Sequence, residues 1–375
     1  MRKPLYQKIL DELREKIHAG VLQPGRALPT ELELAEQHKV SRITSKRAME
    51  ELEREGLIIR KRGVGSFVTP LAERAEQSGG HMIAMIFPFK SAEGWVLEYV
   101  RGASDFLEQR HCFLSIRCLG DRQEHEVLGQ VSREPVDGII YYPDSTIENE
   151  ELLATMLYSG PPIVTIDKYY DGIDISSVTS DNRGGMRSVV QHLIDLGHRK
   201  IGFFSIEPVS RVTSVRDRYM AYCQTLAENG IPLDCEHVAC FTYKEFQNSI
   251  DIDHLDLVED KMNKLLHRGV TAIAAENDLT ALFLYVAARN TNRSIPEDFS
   301  LTGFDDLSLL RQFRVSMTTV RQDPYGLGAK AAELLHDRIV GRENGCVRYV
   351  HPVTLVVRAT TAPPQEKSHI ENHEA

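Results

Sequence analysis

The apolar positions fall into two regimes along the chain, one helical and short, the other alternating and long. Over residues 4–19, Leu5, Ile9, Leu13 and Ile17 recur every four residues with Tyr6 and Leu10 beside them. That spacing predicts an amphipathic helix, ended by Gly20 and Pro24-Gly25. In "LPTELELAEQH", Thr30 followed by Glu33 is a capping box, so a second helix starts after Thr30. "HKV" is a tight turn, Ser41 can cap a third helix, and Gly56 closes it. "GLIIRKRGVGSFVTP" then alternates as two short strands around Lys61-Arg62-Gly63-Val64-Gly65, a hairpin. Three helices plus a hairpin predict an α+β winged helix-turn-helix over residues 1–69.

Residues 70–80, "PLAERAEQSGG", are polar and end in Gly-Gly, which reads as a linker. Beyond them, apolar runs (MIAMIF, FLSI, DGIIYY, PIVTI, KIGFFS, TAIAA, FSLTGF, TLVVR) alternate with amphipathic segments such as "GGMRSVVQHLIDLGH". This pattern predicts an α/β body over residues 81–361, with parallel sheets covered on both faces by helices. "SREPVDGIIYYPD" and "LHRGVTAIAAEND" share one plan, which supports two similar halves. Ligands of such sheets bind beyond the carboxyl ends of the strands, so the cleft between the halves is the expected pocket. Residues 362–375 are polar and Pro-rich, and read as a flexible tail.

Composition is that of an ordinary globular protein, 42% apolar and 26% charged, with no apolar run near membrane-spanning length. No signal-peptide core opens the chain, so a bacterial cytoplasmic location is expected. Six scattered cysteines form no CxxC, so free, mostly buried thiols are expected and no metal site. Charge changes the picture more. Residues 1–70 hold 14 Lys and Arg against 10 Asp and Glu, a net +4, whereas residues 71–375 hold 30 against 44, a net −14. Only the first unit is suited to meet a polyanion.

The third helix carries the chemistry for that meeting. In "VSRITSKRAMEELEREG", hydroxyls and cations crowd the first turns and the far end turns acidic. A recognition helix presents its N-terminal residues to the bases of the major groove. Arg42 can read guanine O6 and N7 through two hydrogen bonds, Lys46 and Arg47 can reach phosphates or bases, and Ser41 and Thr44 can donate hydroxyls to phosphate. Lys61 and Arg62 of the wing can straddle the backbone, with Gly63 allowing close approach.

"PGRALPTELELAEQHKVSRITSKRAMEELEREGLIIRKRGVGSFV" resembles the GntR family of winged-helix repressors. The resemblance implies DNA contacts at Ser41, Arg42, Thr44 and Lys46 in the recognition helix and at Arg62 and Gly63 in the wing. Two positions depart from the family. Leu32 stands where many members carry a polar or basic contact and is expected to pack; Ile43 stands where a hydroxyl is common and is expected to meet a thymine methyl.

"PVDGIIYYP", "SDNRGGMRSVVQHLIDLGHRKIGFFS", "AAENDLTAL", "SIPEDFSLTGFDD" and "MTTVRQDPYGLGAKAAELL" resemble the LacI/GalR effector domain, which is similar to periplasmic sugar-binding proteins. The pairing of the two resembles the arabinose-repressor subgroup. The resemblance implies a homodimer that binds double-stranded operator DNA and a small-molecule effector, a sugar. It implies that Arg218 and Asp278 hold ligand hydroxyls and that Asp167 faces the ligand; the alternative for Arg218 and Asp278 is a structural ion pair with each other. Phe87 and Tyr243, or Phe241, are candidates to stack on a sugar face or to fill the core. Asp305-Asp306 reads as a helix cap and hinge element, and His198 as a cation at a helix C-terminus. No cofactor is expected. Neither is catalysis, since GxxxxGK[ST], GxSxG, HExxH and strand-linked GxGxxG are absent. The expected function is a sugar-responsive repressor; the alternative is a sugar sensor acting through a protein partner.

Overall fold

The computed structural model describes residues 4–18, 21–61, 64–69, 80–88, 96–120, 122–248, 255–343 and 345–365. The expected linker therefore lies outside the described residues except at Gly80.

The first unit follows its periodicity. Helices α1 (Leu5–His18), α2 (Glu31–His38) and α3 (Arg42–Arg54) precede the antiparallel hairpin of β1 (Ile58–Lys61) and β2 (Gly65–Val68). Ile9, Leu10, Leu13 and Ile17 of α1 meet Leu34, Ala48, Met49 and Leu52 in one buried cluster. The capping box forms as expected: Thr30 N donates to Glu33 Oε2 at 2.7 Å and Glu33 N to Thr30 Oγ1 at 3.3 Å. These bonds satisfy donors that the helix itself leaves open.

The rest of the chain runs through β3 (Met82–Phe87), α4 (Val96–Glu108), β4 (Phe113–Cys118), α5 (Glu124–Val131), β5 (Gly138–Tyr141), α6 (Glu150–Ser159), β6 (Ile163–Ile166) and β7 (Ser176–Ser180). It continues through α7 (Asn182–Asp195), β8 (Ile201–Ser205), α8 (Thr213–Glu228), β9 (Val238–Cys240), α9 (Tyr243–Asn248), α10 (Leu255–His267), β10 (Ala272–Ala275), α11 (Asp278–Asn290) and β11 (Ser300–Thr302). Last come α12 (Leu309–Gln312), β12 (Thr319–Arg321), α13 (Pro324–Ile339), β13 (Arg348–His351) and β14 (Thr354–Val356).

Two parallel sheets result, in the orders β13-β7-β6-β5-β3-β4 and β11-β10-β8-β9. Alternate residues of β3 serve opposite faces of the first. Ile83, Met85 and Phe87 pack with Tyr99, Leu327 and Leu335, whereas Ala84 and Ile86 pack with Val127, Leu128 and Leu153. With both faces covered, the strand reads as an unbroken apolar run rather than an alternation.

The lobes exchange chain three times. Helix α7 packs with β8 and β10 of the second lobe, while α13 and β13 return to the first. The crossings lie near residues 180–181, 322–323 and 351–353, and they are stitched together. Asp181 N donates to His351 O at 2.8 Å, the Ser180 hydroxyl donates to Gln322, and His351 Nε2 lies 3.2 Å from Asp323 Oδ2. Backbone-close packing fixes α4 against α13. A Cβ on Gly102 would sit 1.9 Å from Tyr325 O, and one on Gly328 would sit 2.0 Å from Tyr99 O. Only glycine permits this approach, and it holds Tyr99 at the edge of its lobe.

Three expectations need correction here. His198 is buried, bonded to Thr271 Oγ1 at 2.9 Å and Ser300 Oγ at 3.1 Å, and burial pushes its pKa down, so it is a neutral core histidine rather than a helix-end cation. The tail begins later than residue 362, since Ala362 O accepts a 2.9 Å bond from Ser300 Oγ; residues 366–375 lie outside the described residues. Of the six free cysteines only Cys112 is buried. Among the described residues, no helix is long and apolar enough to cross a membrane.

Candidate functional site

Helix α3 sorts its residues cleanly. Ser45, Ala48, Met49 and Leu52 enter the core, which leaves Arg42, Ile43, Lys46 and Arg47 outward. Ser41 is the N-cap: its Oγ accepts from Thr44 N at 3.3 Å and lies 2.9 Å from Thr44 Oγ1. Both hydroxyls thus gather at the positive end of the helix, where an anionic oxygen is favoured.

Arg42 is 73% exposed at its side chain, and its Nε donates to Glu31 Oε2 at 3.3 Å. That single bond aims the guanidinium and leaves both terminal nitrogens without a bond among the described residues. The other oxygen of Glu31 accepts from Arg60 Nη2 at 3.2 Å. Sequence reasoning missed Glu31, because nothing local marks an acid on one helix as the support of an arginine on the next. Lys46 lies 3.5 Å from Glu50, and Arg47 sits 4.1 Å over the Tyr6 ring, turned toward α1. Lys61 reaches the wing's Phe67 ring at 5.6 Å. Arg62 and Gly63 lie outside the described residues. Leu32 does not pack as expected: it is 58% exposed at the first turn of α2.

The second site is a cleft of about 610 Å³ between the two lobes. Tyr99, Tyr142, Asp144, Asp167 and Lys168 line it from the first lobe, and Glu207, Ser214, Arg218, Asn277 and Asp305 from the second. Most of these follow the carboxyl end of a strand, as the fold requires. Gln322 lies at a crossing between the lobes.

Arg218 is the centre of the second lobe's wall. Its Nε donates to Asn182 Oδ1 at 2.9 Å, Nη1 to Glu276 O at 2.7 Å and Nη2 to Asp305 Oδ1 at 3.4 Å, with the guanidinium 3.7 Å over the Phe304 ring. Three of its five donors are used. Asp305 takes both its bonds, from Arg218 and Gln322, on Oδ1. Its Oδ2 makes none among the described residues. Burial raises the Asp305 pKa to about 6 despite Arg218. In the facing wall, Asp167 adopts φ 70° and pairs with Lys168 Nζ at 3.0 Å. The buried phenols of Tyr99 and Tyr142 hydrogen-bond to the same carboxylate. Lys168 also lies 4.0 Å over the Tyr142 ring.

Four residues expected at the ligand land elsewhere. Asp278 is 0% exposed and absent from the cleft wall. Thr319 Oγ1 donates to its Oδ1 at 2.6 Å and Leu307 N to its Oδ2 at 2.8 Å, and it does not pair with Arg218. Its neighbour Asn277 faces the cleft instead. Asn277 Oδ1 caps α11 by accepting from Thr280 N at 2.8 Å, which leaves its amide N–H groups for a ligand. Phe87 is wholly buried, packed beneath Tyr142 at 6.0 Å between centroids. Phe241 is core, beside Phe204. Tyr243 is exposed, with its hydroxyl 3.2 Å from Glu148. Neither residue of the pair caps a helix as expected: Asp306 holds Arg321 and Arg358 at 2.7 Å each, the following helix has Ser308 as its N-cap, and Asp305 belongs to the cleft.

Burial raises the Asp278 pKa to about 8. A group whose folded pKa lies above its unfolded one gives stability that is lost as pH rises through the folded value. Stability should therefore fall between about pH 4 and pH 8, most steeply around pH 5–7, by up to about 1.4 kcal/mol per pH unit for each such proton, and level off above pH 8. Asp278→Asn can still accept from Leu307 N, with the Thr319 hydroxyl turned to receive its amide, and should flatten that slope. Thermal melts of both proteins across the window check this; an unchanged slope would count against a buried, protonated Asp278.

Comparison with known proteins follows the same division. The family of bacterial regulatory proteins called gntR matches residues 5–68, and the periplasmic binding protein-like domain matches residues 190–361. The chain is 28% identical over 366 residues to an arabinose metabolism transcriptional repressor of Geobacillus stearothermophilus, covering 96% of this chain and 98% of that one. It is 31% identical to an uncharacterized HTH-type transcriptional regulator from the aml 5' region of Streptomyces limosus, covering 65% of this chain and 68% of that one. A solved complex of the transcriptional regulator CelR with cellobiose superposes with a TM-score of 0.65 at 24% identity, covering 89% of this chain and 100% of that one.

Proposed function

The chain belongs to the bacterial HTH-type transcriptional regulators that join a gntR-family winged-helix head to a periplasmic-binding-protein-like body, and from that premise we propose that the body receives a neutral sugar whose binding releases the head from operator DNA. The named relatives are transcriptional regulators, not enzymes.

The observation that carries the sugar reading is the Arg218–Asp305 pair. It sets a guanidinium with donors to spare beside a carboxylate with an oxygen to spare. Vicinal hydroxyls, which donate and accept together, match such a pair. Tyr99 and Tyr142 supply apolar surface in the facing wall. The electrostatics favour a neutral ligand. Four carboxylates line the cleft against Lys168 and Arg218, and each cation already faces an acid. A uronate or sugar phosphate would meet no unpaired cation there.

In this reading two chains associate about a two-fold axis, and two heads reach successive major grooves of a pseudo-palindrome. Sugar binding shifts one lobe against the other about the three crossings. A coupling of about 1–3 kcal/mol would change operator affinity roughly 5- to 150-fold.

A thermal-shift panel tests the class. L-arabinose heads it, given the repressor of Geobacillus stearothermophilus, followed by other pentoses, hexoses and disaccharides, then uronates and sugar phosphates. A ligand at a hundred times its Kd stabilises by about 2.7 kcal/mol, so one or more neutral sugars should raise Tm by several degrees. Stabilisation by anionic sugars alone would reverse the assignment.

A further inference from the structure

The head exposes two large aliphatic side chains where its charge gathers. Ile43 is 80% exposed on the first turn of α3, between Arg42 and Thr44, and Leu32 is 58% exposed on the first turn of α2. Those turns are fastened together: Ser45 Oγ donates to Glu31 O at 2.6 Å, and Arg42 Nε to Glu31 Oε2 at 3.3 Å. Neither aliphatic is needed by the core, which closes with Leu34, Ala48, Met49 and Leu52 at 1% exposure or less.

The charge beside them says what covers the exposed face. Arg42 and Lys46 share the outward side of α3 with Ile43, and the helix end adds positive potential. An acidic polymer fits that side, and a helix entering duplex DNA by its N-terminus meets base edges in the major groove. The apolar group presented there is the C5-methyl of thymine.

We propose that Ile43 reads a thymine methyl in the operator, so that the head selects a 5-methylpyrimidine at that position through apolar contact, with Leu32 as the neighbouring apolar surface. This rests on the DNA-binding reading of the head. Burying one methyl-sized group is worth roughly fourfold in affinity. Ile43 would therefore discriminate thymine from uracil, which differ by that methyl and share every hydrogen-bonding group.

Duplexes selected by the full-length protein from a random library supply the probe, and each thymine in turn is replaced by deoxyuridine. At one thymine per half-site the replacement should weaken binding about threefold to tenfold. Ile43→Ala should bind the thymine and uracil duplexes equally, while Leu32→Ala keeps the preference. The Ile43 side chain is solvent-exposed, so the variant should melt as the parent does. Indifference of the parent protein to every replacement, or an undiminished preference in Ile43→Ala, overturns the proposal while the DNA reading stands. Failure to enrich any duplex overturns both.

Discussion

Replacing Arg218 by alanine is expected to yield a regulator that holds its operator with parental affinity and no longer lets go when sugar is added. Effector affinity should fall at least about a hundredfold, since hydrogen bonds from a charged donor are worth about 1.5–3 kcal/mol each and Arg218 has two donors left to offer. The side chain also serves the fold. It neutralises Asp305, caps Glu276 O and lies on Phe304. Its removal leaves the half-buried Asp305 carboxylate with Gln322 but without its cation, so melting temperature should fall as well. Arg218→Lys separates the two roles. A lysine keeps the charge opposite Asp305 but cannot reproduce a planar fork. It should recover much of the melting temperature and little of the sugar affinity. Calorimetric titration with the sugar from the thermal screen, beside melts of all three proteins, reads both quantities. Full sugar response in Arg218→Lys would mean that the guanidinium geometry is unimportant and the ligand lies elsewhere.

Arg42→Ala carries the second large effect. A side chain 73% exposed can be removed with little loss of fold, so melting and sugar binding should remain as they were. Operator affinity should drop by about 1–3 kcal/mol, the discrimination of a bidentate arginine on guanine. The loss should be concentrated at one base pair. Arg42→Lys distinguishes base from phosphate: a lysine satisfies a phosphate, so affinity regained with specificity intact would move Arg42 to the backbone. Measured against salt, the parent protein should show a steep fall in affinity, the signature of released counterions. A flat dependence would favour a protein partner over DNA. Glu31 gives this experiment a further arm, because it aims the guanidinium through Nε while leaving the terminal nitrogens open.

Much of the head could be read from residues alone. Its helices are amphipathic, its caps are local, and its hairpin alternates; Thr30 with Glu33 and Ser41 with Thr44 form the bonds their spacing implies. The body's apolar runs likewise became strands. Strand β7, Ser176–Ser180, escaped notice because a serine-rich stretch carries no apolar signature, yet all five residues are buried. Its hydroxyls find distant partners: Ser176 Oγ accepts from Arg338 Nη1 at 2.9 Å and Ser180 donates to Gln322. Of the cleft, Arg218 and Asp167 were legible by resemblance. Asp278 was misjudged by one residue, because at the start of a helix adjacent side chains point about 100° apart and only packing decides which faces inward.

The sequence alone determined the number of units, their fold classes, the cationic first turn of α3 and the unequal charge of head and body, since these depend on local propensity, periodicity and composition. Tertiary structure alone decided which lobe each late segment joins, that Asn277 and Asp305 rather than Asp278 face the cleft, and that Glu31 steers Arg42. Those outcomes depend on contacts between residues far apart in the chain, where burial and hydrogen-bond satisfaction are settled by the whole fold rather than by neighbours in sequence.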